Sequence, residues 1–380
     1  PYTVLSPWRK RRGASVSRPP LLERGDVLDE IGVMLAVPCS TVLVTGETGI
    51  GKTRVLQEAS GRSGGFFMTM RCRSLNESGT DIFSSWLGEW TGEGDLPSFR
   101  EKLYDLIDRV EDSLSPDSDE VADELLRAES VLAAMVGLNW EGSLYGGLEP
   151  GARFANTVSV LAALVRAMMI LGGRVMAVDD LQWIDPDSRR LLREVLQELG
   201  EDGPSLLLLT SESGGGDEWN PEAEITLGPI SRSGVEEYLK WSLGEAPSRE
   251  LVNWFYRRTE GNPFFMEQYA GMLESPAAPP DEDSFPGSLH SLLVARLDRL
   301  DPGLKRTVLA ASILGREFTV GILERLCGED ELRASVESGI RKGIWHTPSA
   351  GVCSFTHNLL REAAYRLQPH SERTALHNSA

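Results

Sequence analysis

The segment Gly46-Glu47-Thr48-Gly49-Ile50-Gly51-Lys52-Thr53 is a complete G-x-x-x-x-G-K-[ST] pattern, and it constrains the fold more than any other stretch of the chain. The apolar run Thr41–Thr45 before it reads as a strand, and Lys52–Glu58 after it reads as a helix. A strand that turns through glycines into a helix belongs to a parallel α/β sheet. The glycines permit main-chain angles and close approaches that a side chain blocks. The loop N–H groups and the helix N-terminus then face an anion, which points to phosphate. In that setting Lys52 is expected to reach the β- and γ-phosphates of a nucleotide and the Thr53 hydroxyl to bind Mg2+. Arg54, next along the helix, joins the expected nucleotide-contacting set. The bland alternative is a glycine turn before a helix; the full pattern with both flanks in place argues against it.

Val175-Met176-Ala177-Val178 is a second buried strand, and Asp179 and Asp180 follow at its C-terminal end. Parallel sheets gather ligands at that end. Asp179 is expected to hold Mg2+, directly or through water. Asp180 is expected to orient an attacking water or accept its proton. A core strand that ends in a polar turn is the alternative, weakened by the phosphate loop upstream.

The 380 residues, 41% of them hydrophobic, suffice for two or three domains. No run approaches 18 uninterrupted apolar residues, so no membrane span is expected. Pro1 is not an initiator residue, so the sequence reads as a piece of a longer parent, and it opens with no secretory leader. Cys39, Cys72, Cys327 and Cys353 lack zinc or disulfide spacing, which fits a reducing cytoplasm. The net charge of −19 argues against a general electrostatic grip on nucleic acid.

Short apolar runs alternate with helical segments from residue 20 to 230, as in a P-loop NTPase sheet with helices on both faces. Strands are expected at 42–45, 66–70, 175–179, 205–210 and 224–227, with a helical stretch at 81–172 broken by an acidic loop near 113–123. Asp185 and Pro186 open a helix as cap and first residue. Ser233 and Glu236 form a capping-box pattern for a helix at 234–243. Further helices are expected at 248–260 and 263–274, then at 288–300, 303–314, 319–327 and 331–342. An extended pair within 343–355 and a last helix from 357 complete a winged-helix pattern. The domains are thus a basic linker (1–19), the NTPase domain (20–230), a helical lid segment (231–275), an acidic and proline-rich linker (276–286) and a winged-helix domain (287–380).

The stretch Val178-Asp179-Asp180-Leu181-Gln182-Trp183-Ile184-Asp185-Pro186 resembles the D-D-hydrophobic-[HQ]-W-x-D-P motif of signal-transduction ATPases with numerous domains, the STAND class. It is similar in particular to the ATPase module joined to bacterial adenylate cyclases, serine/threonine kinases and LuxR-type regulators. Leu22-Glu23-Arg24-Gly25-Asp26 resembles the V-G-R-E motif, keeping Arg24. The segment 259–265 resembles T-x-G-N-P-[FL]-[FY], and 355–365 resembles F-x-H-x-L-[IL]-R-E-A-x-Y. The resemblance implies ATP or ADP with Mg2+ as ligands and Arg24 near the base or sugar. It also implies Pro263 against adenine and His357 approaching the β-phosphate in an ADP-bound resting state. Gly261 and Pro263 equally suit a turn that ends one helix and begins the next, and His357 equally suits a surface or core position. One departure stands out. Glu212 lies after Thr210 where relatives carry an arginine, which predicts slow hydrolysis or an arginine supplied in trans.

The expected function is a regulatory ATP/ADP switch in a multidomain signalling protein. Its partners are effector and sensor domains of the parent or a separate protein, with nucleotide-dependent self-association. The alternative is a DNA-binding initiator or regulator that uses the winged helix. Residues 286–380 carry a near-balanced 12 basic against 10 acidic side chains, and the expected recognition helix 331–342 mixes Glu331 and Glu337 with Arg333, Arg341 and Lys342, a poor phosphate-tracking face, so DNA is not the expected partner. A degenerate, purely structural nucleotide binder ranks last because Lys52, Thr53, Asp179 and Asp180 are all present.

Overall fold

The computed structural model describes residues 19–63, 67–72, 82–92, 95–212, 217–270, 273, 289–315, 317–327, 332–347, 351–356, 358–369, 373 and 376. The chain divides into two compact units, Arg24–Gly228 and Pro229–Ala380, the latter together with the described residues of Pro1–Glu23.

The first unit opens with α1 (Gly25–Met34), β1 (Ser40–Thr45), α2 (Lys52–Ser63) and β2 (Phe67–Arg71). A helical insert follows: α3 (Ile82–Thr91), α4 (Leu96–Glu111), α5 (Ser118–Met135), the short α6 (Leu144–Gly147) and α7 (Pro150–Ile170). β3 (Val175–Asp179), α8 (Pro186–Leu199), β4 (Leu206–Ser211) and β5 (Ala223–Thr226) complete it. The five strands form one parallel sheet in the order β2-β3-β4-β1-β5. β1 and β3, the two strands with chemistry at their ends, flank β4, so a crevice opens over the C-terminal edge of β4.

The inner strands β1, β3 and β4 are apolar on both faces because helices cover both, and Val42, Val44, Ala177, Val178, Leu208 and Leu209 have no exposed surface. Each expected strand lies within two residues of its observed position. The acidic stretch near 113–123 is a loop only as far as Asp117. α5 starts at Ser118 with Asp119 and Glu120 in its first turn, where the helix dipole favours carboxylates. α7 is long and apolar enough to cross a membrane by length and composition alone, with a mean hydropathy of 1.4. In this fold Val158, Leu161, Leu164 and Met168 of α7 belong to the core shared with α5 and α8.

The second unit continues through α9 (Arg232–Leu243), α10 (Arg249–Thr259) and α11 (Pro263–Ala270). The order is then α12 (Leu289–Asp298), α13 (Pro302–Leu314), β6 (Glu317–Thr319), α14 (Val320–Cys327), α15 (Leu332–Arg341), β7 (Trp345–His346), β8 (Val352–Phe355) and α16 (Asn358–Leu367). α9 begins two residues before the expected start, because Ser231 rather than Ser233 accepts from the Gly234 N–H at 3.3 Å. Ser231 in turn donates its N–H to Glu23 at 2.7 Å.

The small sheet is antiparallel in the order β6-β8-β7, one strand more than the expected pair. Its core is a triad of rings, Phe318, Trp345 and Phe355, with centroids 5.7–5.8 Å apart in edge and tilted contacts. The Trp345 indole donates to Val336 O at 2.9 Å. Gly339 leaves room for that ring; a Cβ there would sit 2.3 Å from it. Helices and a three-stranded antiparallel sheet of this kind are the make-up of a winged helix. The two linkers, apart from Pro19, lie outside the described residues.

Candidate nucleotide-binding site

The phosphate loop runs from the end of β1 into α2. Gly46, Gly49 and Gly51 all take positive φ, at 149°, 80° and 105°. At Gly46 the requirement is also spatial, since a Cβ would lie 2.9 Å from both Leu227 O and an Ile50 methyl. Ile50 is buried and anchors the loop from below, while Glu47 and Thr48 are exposed at its tip. The Ile50 N–H closes the turn on Glu47 O at 3.2 Å.

Lys52 is 6% exposed, and its ammonium donates to Gly46 O at 2.7 Å and Glu47 O at 3.1 Å. Burial pushes its pKa down, and the nearby carboxylates of Asp180, Glu212 and Asp179 work against that shift. Arg54 pairs with Glu58 one turn along α2, its Nε donating at 2.8 Å. Arg24 is buried at the start of α1 and donates to Gly228 O at 2.5 Å, which ties α1 to the segment leaving β5.

Asp179 is fully buried at the end of β3 and is the hub of the site. Its Oδ1 accepts from the Thr210 hydroxyl at 2.6 Å, and its Oδ2 accepts from the Thr53 hydroxyl at 2.9 Å. The Arg71 guanidinium stands 3.5 Å from the same Oδ2. Strand register explains the pairing, because Arg71 at the end of β2 lies directly opposite Asp179. Sequence reasoning passed over Arg71, although a basic residue at the end of a strand beside the paired aspartates is a signal that could have found it.

Asp180 takes the left-handed conformation at φ 61° and ψ 46°, one that Asp tolerates better than most residues. That turn aims its N–H at the Thr210 hydroxyl, 2.9 Å away, and Gln182 Nε2 donates to its Oδ1 at 3.3 Å. Asp185 caps α8 as expected, accepting from the N–H groups of Asp187 and Ser188 at 3.0 and 2.8 Å. Glu212 accepts from the Thr48 hydroxyl on the loop and donates its N–H to Gln182 Oε1 at 3.2 Å.

The structure thus brings together the loop, Lys52, Thr53, Asp179 and Asp180 in one unit. Pro263 belongs to the other unit, at the first position of α11. The turn before it is the one the sequence allowed: Glu260 caps α10 in the left-handed region, and Gly261 follows at φ 73°. His357 lies outside the described residues. The donor set suits Mg2+ with a nucleotide, for that ion is ordinarily held by one or two hard oxygens together with the phosphates it accompanies. Thr53 and Asp179 are such a pair.

Comparisons with known proteins agree with this fold. The chain is 26% identical over 396 aligned residues to an uncharacterized protein of Rhizobium meliloti (strain 1021), covering 94% of this chain and 36% of the relative. In fold it matches the crystal structure of a STAND protein with a tetratricopeptide repeat sensor from Pyrococcus horikoshii, with a TM-score of 0.54 and 14% identity. That match covers 95% of this chain and 45% of the other. The chain therefore spans less than half the length of either protein. The family model described as the AAA ATPase domain matches residues 20–209, from before Arg24 into β4. That match spans half of the 380 residues, and the chain belongs to the AAA ATPase domain family.

Proposed function

We propose that the chain is the adenine-nucleotide switch module of a larger signalling protein and that it hydrolyses ATP slowly to reset its state. The observation that carries this reading is the convergence on Asp179. The end of β3, the start of α2, the end of β2 and the end of β4 all report to one buried carboxylate.

In this reading the loop N–H groups and Lys52 hold the phosphates, for which Lys52 gives up its contacts to Gly46 O and Glu47 O. Thr53 and Asp179 hold Mg2+. Bound there, the ion neutralises charge developing on the phosphate oxygens. Asp180, whose side chain Gln182 steadies, orients the attacking water and takes up its proton. The roles of Arg24 near the base or sugar, Pro263 against adenine and His357 toward the β-phosphate of ADP are carried by the family resemblance alone.

A switch requires that the two nucleotides bind its two forms differently. A preference of about 100-fold, or roughly 2.7 kcal/mol, gives a clear response. A DNA-reading role gains no support from the wing. Lys342 is paired with Asp301 at 2.7 Å and Arg341 with Glu337 at 3.8 Å, so two of the cations on and beside α15 are engaged within the domain.

The test is the nucleotide retained by the purified protein, followed by ADP and ATP affinities with and without His357→Ala. Retained ADP and a lost ADP preference in the variant are expected. An empty site with rapid turnover would point instead to an ordinary ATPase.

A further inference from the structure

We infer that Glu212 is the specificity-determining residue of the site, a carboxylate fixed on the phosphate loop that disfavours a triphosphate relative to a diphosphate. This rests on the switch reading above and names the group that sets its resting preference.

Register puts the group there. β4 and β1 pair in parallel with Ser211 opposite Thr45, so the residues that follow, Glu212 and the loop beginning at Gly46, emerge side by side. Glu212 is half-buried and held from two directions. Its side chain accepts from the Thr48 hydroxyl, and its main-chain N–H donates to Gln182 Oε1 at 3.2 Å. Gln182 in turn donates to Asp180 Oδ1 at 3.3 Å. Thr48 on the loop and Asp180 beside β3 are thereby joined through Glu212 and Gln182: the Gln182 bond fixes the Glu212 main chain, and its carboxylate cannot swing away without breaking the bond from Thr48.

The charge balance gives the fixed carboxylate its effect. Asp179 has a counter-charge in Arg71 at 3.5 Å, whereas the donor on Glu212 from the loop is a neutral hydroxyl. The Lys52 ammonium faces Asp180, Glu212 and Asp179 together. A nucleotide phosphate on this loop meets the Glu212 charge at short range, at a contact open to solvent, where the few ångströms of separation leave little room for salt or water to cancel the repulsion. A triphosphate brings one more anionic group than a diphosphate, so the same carboxylate weighs more heavily against ATP. ADP binding with the Thr48–Glu212 contact kept, and ATP binding only at the expense of it, is a resting preference for ADP built into the loop.

The experiment is equilibrium binding of ATP and ADP, each with and without Mg2+, to the wild-type chain and to Glu212→Gln. Gln keeps an acceptor for Thr48 and removes the charge, while its NH2 adds a donor that the Glu212→Ala variant lacks. The expected result is a rise of roughly tenfold in the ratio of ATP to ADP affinity, carried mainly by tighter ATP binding. An unchanged ratio overturns the inference. So does a Mg2+-dependent loss of ATP affinity in the variant, which would make Glu212 a ligand on the metal side. Glu212→Ala, checked by thermal unfolding, must move the ratio in the same direction; a shift the other way also overturns it. A wild-type chain that binds neither nucleotide sinks the switch reading as well, whereas one that binds both with a ratio unmoved by Glu212→Gln sinks the inference alone.

Discussion

Thr53 donates its hydroxyl to Asp179 Oδ2 at 2.9 Å across 126 residues of sequence, and this bond joins the helix after the phosphate loop to the strand that carries the paired acids. Two hard oxygen donors are held together before any ion arrives, so an arriving ion replaces a hydrogen bond instead of ordering two mobile side chains.

Thr53→Ala and Asp179→Ala are therefore expected to differ. Thr53→Ala leaves Asp179 with Thr210 and Arg71, so the fold should survive with a loss of about 1 kcal/mol. It should abolish the Mg2+-dependent gain in ATP affinity. Asp179→Ala strips the acceptor from two hydroxyls and the counter-charge from Arg71, and should cost about 3 kcal/mol in denaturant unfolding. Equal stability losses in the two variants would remove Asp179 from its place as hub.

Lys52→Met separates binding from folding. Lys52 as a whole is 6% exposed and its pKa is lowered by burial, so the protein holds this charge at a cost. Met fills the same space without the charge. Thermal stability should be equal to or above wild type, while nucleotide affinity falls by about 100-fold or more in equilibrium titration. A variant that loses stability and binding together would make Lys52 primarily a structural tie for the loop.

Much of this was legible in the sequence because the signals are local. The loop needs three glycines, a Lys and a Thr in a row, and the buried strands are unbroken apolar runs. Asp185 is readable as a cap because Pro186 follows it. The rest depends on which strands become neighbours. Arg71 matters because β2 lies beside β3; Glu212 stood out in the sequence as a departure, but its place against Thr48 follows from β4 lying beside β1. Neither adjacency is written in spacing. β6 was missed for a different reason: Glu317-Phe318-Thr319 is three residues long, too short for its single polar–apolar–polar alternation to stand out from the helix that follows.

Gly261 and Pro263 carry different loads and should separate on mutation. At Gly261 a Cβ would lie 2.0 Å from Ile230 O, at φ 73°, and the Ile230 N–H donates to Gly261 O at 2.8 Å. Gly261→Ala should destabilise the second unit by about 3 kcal/mol or more in denaturant unfolding. Pro263→Ala changes the first helical position of α11, which tolerates Ala, so it should cost under about 1 kcal/mol. If Pro263 packs on adenine, the same variant lowers ATP and ADP affinity by equal factors, since both carry the base. Unchanged affinity for both would leave the segment a turn and nothing more.

Asp185 offers a pH-dependent check on the strand–turn–helix that follows the paired acids. Partial burial works against its ionised form, but hydrogen bonds from the side chain and main chain of Ser188 and the N–H of Asp187 outweigh it and hold the pKa below the ordinary aspartate value. A carboxyl whose folded pKa is depressed adds stability above its unfolded pKa of about 3.9, and that stability is lost as pH falls through the folded value. Asp185→Ala should therefore cost about 1 kcal/mol at neutral pH, the usual worth of a cap. The gap between variant and wild type should narrow steadily below about pH 4. Denaturant unfolding of both proteins from pH 7 downward reads this directly. A gap that stays constant through the acid range would show that the cap acts through main-chain geometry rather than through its charge.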